Sequence, residues 1–322
     1  MDDKTWPSIA VVGAGAVGCF FGGMLARAGA PVTLIGRPRH VEAIARHGLL
    51  LDSSRFQERI PLEATTNIAD AARAQVVLLS VKSVDTEDAA RSLVTHLARD
   101  AVVVSLQNGV DNAGRIRSVA PGVEVFPAAV YVAAEMASPG CVRHAGRGDL
   151  VIGDDDAGGA DRAGRHGRLK VIAAMFERAG VPCRISDNID ADLWAKLIMN
   201  CAYNAISALT HLKYGRLAHD PGVREVIGLV VDEALAVARA AGIHGIEPGV
   251  IDAVWRLANA MPKAMSSTAR DLAQAKRTEI DALNGHVARR GAELDVPTPV
   301  NATLHALVKV IETDAQRRAI TP

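Results

Sequence analysis

Lys196, Asn200 and Asn204 recur every four residues in the run Asp192-Leu-Trp-Ala-Lys-Leu-Ile-Met-Asn-Cys-Ala-Tyr-Asn204. At 3.6 residues per turn such a stripe drifts only about 40° per step, so it lines one face of a helix. Its neighbours Leu193, Trp194, Leu197, Ile198, Met199 and Cys201 are apolar. Polar groups set among them are costly to bury unless they meet partners. The wet side of an amphipathic helix usually carries several charges, whereas this face has one lysine and two amides. A stripe that faces a ligand fits better. A fixed ammonium there can stabilise negative charge growing on an oxygen and then supply a proton.

A second stretch with chemical meaning lies near the N-terminus. Ile9 to Val12 is a short apolar, β-branched run that predicts a buried strand. Gly13, Gly15 and Gly18 then form G-x-G-x-x-G, and Cys19 to Arg27 predicts a helix closed by Gly29. Pro31 to Ile35 supplies the following strand. In that setting the first glycine permits a tight turn, the second admits a pyrophosphate, and the third lets helix and strand pack closely. The helix N-terminus offers unpaired N–H groups and partial positive charge to phosphates. Gly13, Ala14, Gly15, Ala16, Val17 and Gly18 are therefore the expected dinucleotide loop.

The residues after the second strand select the nucleotide. An NAD-preferring site places an acid there to hold the ribose hydroxyls. This chain has Leu34-Ile-Gly-Arg-Pro-Arg-His40, with no acid before Glu42. Arg37 stands where that acid is expected, and a guanidinium can hold a 2′-phosphate by charge-assisted hydrogen bonds. The other reading of Arg37 is a solvated basic turn. NADPH is the expected cofactor.

These residues need elements to hold them. Val76 to Val81 and Ala101 to Leu106 are continuous apolar runs suited to strands buried on both faces. They lead into Lys82 and into Gln107-Asn108-Gly109. Further strands are expected at Leu49 to Leu51, Glu58 to Leu62, Val123 to Val132 and Val181 to Ile185, and helices at Val41 to His47, Thr86 to Leu97 and Arg168 to Ala179. Thr66 to Ala74 is expected as loop or short helix. Arg147-Gly148-Asp149, between strand-like Cys141 to His144 and Leu150 to Ile152, reads as a hairpin turn. Asp154 to Gly167 reads as a polar loop. Alternating strands and helices make a doubly wound sheet whose ligands sit beyond the carboxyl ends of the strands. The glycine loop, Arg37, Lys82 and Asn108 all fall at such ends, although a lysine and an Asn-Gly pair are also ordinary surface features.

From Asp187 onward the strand signal stops. Helices are expected at Asp190 to Leu209, Arg224 to Ala241, Pro248 to Asn259, Pro262 to Gly291 and Thr303 to Asp314. The fold class is therefore α/β: a Rossmann-type doubly wound domain over residues 1–186, then an all-helical substrate and catalytic domain over 187–322. Reactants held between two such halves imply domain closure.

With 322 residues the chain has room for two cores. Its 36 basic and 36 acidic residues balance, so no charge argues for nucleic acid or a membrane surface. The four cysteines show no metal-ligand spacing. No signal peptide or apolar run of membrane-spanning length is seen, so cytoplasmic residence is expected. Alanine-rich helices leave a homodimer possible.

Taken together, Gly13-Ala-Gly-Ala-Val-Gly18, Arg37, Val81-Lys82, Gln107-Asn-Gly109, Leu193-Trp-Ala-Lys-Leu-Ile-Met-Asn200 with Asn204, Ser266-Ser267, Thr278-Glu-Ile-Asp-Ala-Leu-Asn-Gly285 and Pro297 make the chain resemble the ketopantoate reductase (2-dehydropantoate 2-reductase) family. The resemblance spans nearly the whole chain. It implies NADPH-dependent reduction of the 2-oxo acid ketopantoate to pantoate, as in pantothenate biosynthesis, with hydride delivered to the C2 carbonyl. It implies Lys196 as the catalytic acid and Glu279 on the hydroxyl end of the substrate. Asn108, Asn200, Asn204 and Ser267 would hold substrate, and Lys82 and Asn108 would also serve the cofactor. Periodicity alone puts Glu279 on a solvated helix face. The rivals are a reductase of another 2-oxo acid on the same scaffold and a nicotinamide-sensing protein without chemistry. Retention of both Lys196 and Glu279 argues against the sensor.

Overall fold

The protein is described from a computed structural model over residues 5–155, 161–246 and 249–320. Its contacts divide the chain into two compact units. The first holds the residues up to Gln107 together with Asp111–Ile189. The second holds Asp190 onward and takes Asn108–Val110 from the middle of the first.

The first unit contains β1 (Ile9–Val12), α1 (Ala16–Arg27), β2 (Val32–Ile35), α2 (Pro38–His47), β3 (Leu49–Ser53), β4 (Gln57–Ile60) and β5 (Glu63–Thr65). A 3₁₀ turn (Ile68–Arg73) leads to β6 (Val76–Leu79), α3 (Thr86–Val94), β7 (Val102–Ser105), α4 (Asn112–Val119), β8 (Glu124–Ser138), β9 (Cys141–Gly153), α5 (Arg162–Arg178) and β10 (Cys183–Ser186). The strands β5-β2-β1-β6-β7-β8 lie side by side and parallel. Numbered by their place in this parallel set, that is the order 3-2-1-4-5-6, with its topological switch between β1 and β6. β9 runs antiparallel to β8 and carries β3 and β10 on its other edge.

The apolar strands are apolar at every position because both faces are covered. Ile9 and Val11 join Phe20, Phe21 and Leu25 of α1 and Ile172 and Phe176 of α5 in one core. Ala10 and Val12 join Ala90 and Leu93 of α3 and Ile116 of α4 in another. One strand thus feeds two cores.

Two expectations about this unit are corrected, and one helix is added. Arg147-Gly148-Asp149 is not a hairpin turn but lies inside β9, where the register with β8 shifts beside Tyr131 and Val132. Arg147 and Gly148 take φ of 51° and 145°, so positive φ is absorbed by a bulge rather than a reversal. The reversal falls between Ser138 and Cys141, with Gly140 at φ 70°. The expected loop at Asp154 to Gly167 is already helical from Arg162, with Asp161 accepting from the Gly164 amide as the N-cap; its residues 156–160 lie outside the described residues. A helix expected nowhere, α4, follows β7.

The second unit is helical: α6 (Ile189–Thr210), α7 (Tyr214–His219), α8 (Pro221–Ala240), α9 (Val250–Ala260), α10 (Ser267–Ala273), α11 (Asn284–Glu293) and α12 (Pro299–Ile320). Pro248, the expected start of α9, lies outside the described residues. The expected single helix from Pro262 to Gly291 is instead α10, an irregular segment, a 3₁₀ turn (Ile280–Ala282) and α11. No glycine or proline marks the break, because Ala275 makes it by taking φ 50° while the Lys276 amide donates back to the Asp271 carbonyl. A core of Leu197, Ile198, Cys201, Tyr203, Val231, Val254, Leu283 and Val308 holds the unit together. No helix among the described residues is long and apolar enough to cross a membrane.

Candidate active site

In the first unit, the turn from β1 into α1 sits at the sheet's switch point. Gly13 has φ 113°, and a Cβ on it would lie 2.7 Å from the Ser80 carbonyl carbon just past β6. A Cβ on Gly18 would fall 2.1 Å from the Gly13 carbonyl oxygen and 2.4 Å from Ser80 Oγ. Ser80 Oγ itself donates to the Gly13 carbonyl at 2.8 Å. A Cβ on Gly15 would meet nothing within 4 Å. The fold therefore uses Gly13 and Gly18 for its own close approach, and Gly15 leaves space open at the head of α1. That helix has no side-chain cap and no acid in its first turn, so its N–H groups suit an anion. Ala14 is buried against Gly36, where a Cβ would come within 2.4 Å of the Ala14 methyl. Ala16 and Val17 form the first turn of α1.

Arg37 follows β2 as the extended residue that opens α2. Its side chain is exposed, and among the described residues it has no ion-pair partner. Lys82 is half-buried and opens the 3₁₀ turn Ser83–Asp85 before α3. Gln107, buried past the end of β7, ties these strand ends together. Its Nε2 donates to the Val81 carbonyl at 3.1 Å and to Thr86 Oγ1 at 2.7 Å, and its Oε1 accepts from Ser105 Oγ at 3.1 Å.

In the second unit, α6 carries the polar stripe. Lys196 is 9% exposed, and its Nζ donates to Asn108 Oδ1 at 3.0 Å. Asn108 Nδ2 in turn donates to Glu279 Oε2 at 2.8 Å. The amide thus bridges ammonium and carboxylate by hydrogen bonds. Asn200 is half-buried, and among the described residues its amide meets no partner. Asn204 is buried, and its Oδ1 accepts from Tyr214 Oη at 3.3 Å. Burial pushes the Tyr214 phenol up to about 12, with Arg270 opposing, so it stays protonated and serves as a donor.

Ser267 sits exposed in the first turn of α10. It is Ser266 that touches the stripe: its Oγ donates to the Asn204 carbonyl at 3.1 Å and accepts from the Ala269 amide at 3.0 Å. A serine just before a helix is an N-cap signature, and that signal could have singled it out. The bridging part of Asn108 had no signal in spacing, since 88 residues separate it from Lys196. Among the described residues no cluster of three or more His, Cys, Asp or Glu could hold a metal ion.

A doubly wound sheet with a glycine turn at its switch point, joined to a helical unit with a buried lysine, is the design of a Rossmann-type oxidoreductase acting on CH–OH groups. The chain belongs to the ketopantoate reductase PanE/ApbA family: the N-terminal family model matches residues 9–157 and the C-terminal one residues 188–312. It is 33% identical over 306 residues to a 2-dehydropantoate 2-reductase of Pyrococcus horikoshii, covering 95% of this chain and 97% of that one. It is 50% identical to a PanE/ApbA family ketopantoate reductase from Ralstonia eutropha JMP134 of known crystal structure, with TM-score 0.88 and coverage of 96% and 99%. A D-mandelate dehydrogenase solved in complex with NADH is 25% identical, with TM-score 0.85 over 96% of this chain and 99% of that one.

Proposed function

We propose that this protein reduces ketopantoate to pantoate with NADPH, the pantoate-forming step of pantothenate biosynthesis, with Lys196 as the general acid. The observation that carries this is the chain Lys196–Asn108–Glu279, which points an ammonium's donor geometry from a largely apolar helix face. When bound, the reduced nicotinamide supplies a hydride to the substrate's carbonyl carbon. Lys196 then stabilises the negative charge on the carbonyl oxygen and hands it a proton, work typically worth about 10²–10⁴ in rate. Asn108 fixes the direction of the lysine, and Glu279 fixes Asn108 or takes the substrate's hydroxyl. Asn200, with its amide unengaged by the described residues, and Asn204 and Ser267 hold the carboxylate and hydroxyl groups.

The first unit's residues fit the cofactor. Gly13 to Gly18 leave room for the pyrophosphate at the head of α1, Arg37 takes the 2′-phosphate, and Lys82 serves the nicotinamide end, to which the second unit adds Asn108. The four cysteines are all free, in keeping with the reducing cytoplasm where we place the reaction. Replacing Arg37 by aspartate is expected to weaken NADPH binding far more than NADH binding in a fluorescence titration. Equal losses for the two would remove the phosphate contact.

The likeness to a D-mandelate dehydrogenase favours one alternative, a reductase of a different 2-oxo acid. Optical measurement of NADPH consumption with ketopantoate, then with a panel including aromatic 2-oxo acids, decides between them. Ketopantoate is expected to give the highest kcat/KM. A higher value for another acid would reassign the substrate, and tight NADPH binding with no turnover on any acid would leave a sensor.

A further inference from the structure

Glu279 belongs to no regular helix. It stands between the irregular segment after α10 and the 3₁₀ turn that begins at Ile280, so something other than a helical ladder must fix it. Both of its flanks are held by one face of α12. On one side Thr278, 2% exposed, donates both its amide (2.8 Å) and its hydroxyl (2.5 Å) to Glu312 Oε2. On the other side Asp281 meets His305 Nε2 at 2.7 Å and Lys309 Nζ at 2.9 Å. Lys309 Nζ also donates to Glu312 Oε1 at 3.0 Å, closing the ladder. His305, Lys309 and Glu312 are spaced four and three residues apart, so they stack on one helix face.

Burial works against the Glu312 carboxylate, which is 4% exposed, but the Thr278 hydroxyl and amide and the Lys309 ammonium hold it below its ordinary range. The His305 contact, against an opposing burial cost and with help from Lys309, holds Asp281 well below the carboxylate range. An ionic cluster that is buried only at its Glu312 end adds little stability by itself. What it adds is direction. Two donors from a single residue onto one carboxylate oxygen leave Thr278, and hence the next side chain, little freedom.

We propose that Thr278 and Glu312 are positioning residues for the proposed reduction: by clamping the backbone on which Glu279 stands, they set the carboxylate that holds Asn108 and, through it, Lys196. This rests on the reading above in which Glu279 serves turnover. α12 is thereby part of the catalytic apparatus although, of the residues discussed, none of its own touches Lys196, Asn108 or Glu279.

The test is a double-mutant cycle in the full-length protein, with NADPH consumption on ketopantoate as readout. Thr278→Val keeps the shape and leaves the amide bond to Glu312, so the fold should stand, which a melting curve checks. It is expected to lower kcat by about 10-fold or more through misplacement of Glu279. Thr278→Ser, which retains the hydroxyl, is expected to recover most of that loss. In an Glu279→Gln background, Thr278→Val should cost less than about 2-fold, because residues acting in series do not add. If Glu279→Gln is slow and Thr278→Val lowers kcat by the same factor in both backgrounds, or not at all in the wild type, the positioning role is overturned while the proposed reaction stands. If Glu279→Gln turns over at the wild-type rate, the part given to Glu279 falls and the positioning role with it, while the reduction of ketopantoate stands.

Discussion

Lys196→Met is expected to lower kcat for NADPH oxidation with ketopantoate by about 10²–10⁴-fold while leaving NADPH affinity within a few-fold. Methionine matches the length of the lysine stem and is at home beside Leu193, Leu197 and Met199. The helix should therefore stay intact. One cost is that Asn108 Oδ1 loses the donor now 3.0 Å away, of order 1–3 kcal/mol, which a melting curve would register as a modest shift. The loop proposed to bind the nucleotide belongs to the other unit, so NADPH affinity is a separate readout. A large loss of kcat with retained NADPH binding assigns Lys196 to the chemical step. Loss of both would indicate damage to the fold.

The second large effect comes from making one substitution at two glycines of the same motif. Gly18→Ala forces a methyl to 2.1 Å from the Gly13 carbonyl oxygen. Backbone cannot yield there as a flexible side chain would. Overpacking of this kind costs about 1–3 kcal/mol, occasionally more, so the melting temperature should fall and NADPH binding with it. Gly15→Ala adds its methyl to open space at φ −89°, a conformation alanine accepts without strain. Its melting temperature should be unchanged or slightly raised, since alanine loses less chain entropy on folding. Its NADPH affinity should nevertheless fall by about 10-fold or more, because the methyl occupies the space assigned to the pyrophosphate. Calorimetry on the free proteins and titration with NADPH separate the two. A Gly15→Ala protein that binds NADPH as the wild type does would show that the phosphates lie elsewhere.

How much of this was legible in the sequence depends on the range of the interactions. The α/β half was legible wherever local pattern decides structure: β1, β6 and β7 are buried runs, and the turn between β1 and α1 is written in its glycines. The stripe Lys196, Asn200, Asn204 was legible because helical periodicity is local. What failed had distant causes. Arg147-Gly148-Asp149 has the composition of a turn, yet β8 pairs across it and turns it into a bulge. The stretch 262–291 has the composition of one helix, yet Glu312, 34 residues beyond Thr278, captures the chain out of it. That capture also explains why periodicity assigned Glu279 to solvent, whereas its carboxylate in fact meets Asn108. The contact of Ser266 with the Asn204 carbonyl, made from its capping position before α10, had no signal in spacing either.

Steady-state rates can be set by product release instead of chemistry. The more direct measurement is single-turnover oxidation of enzyme-bound NADPH on rapid mixing with ketopantoate, wild type beside Lys196→Met. If the ammonium of Lys196 supplies the proton, the wild type consumes its bound NADPH rapidly and the variant does so at least about 100-fold more slowly. Equal rates in the two proteins would take Lys196 out of the chemistry.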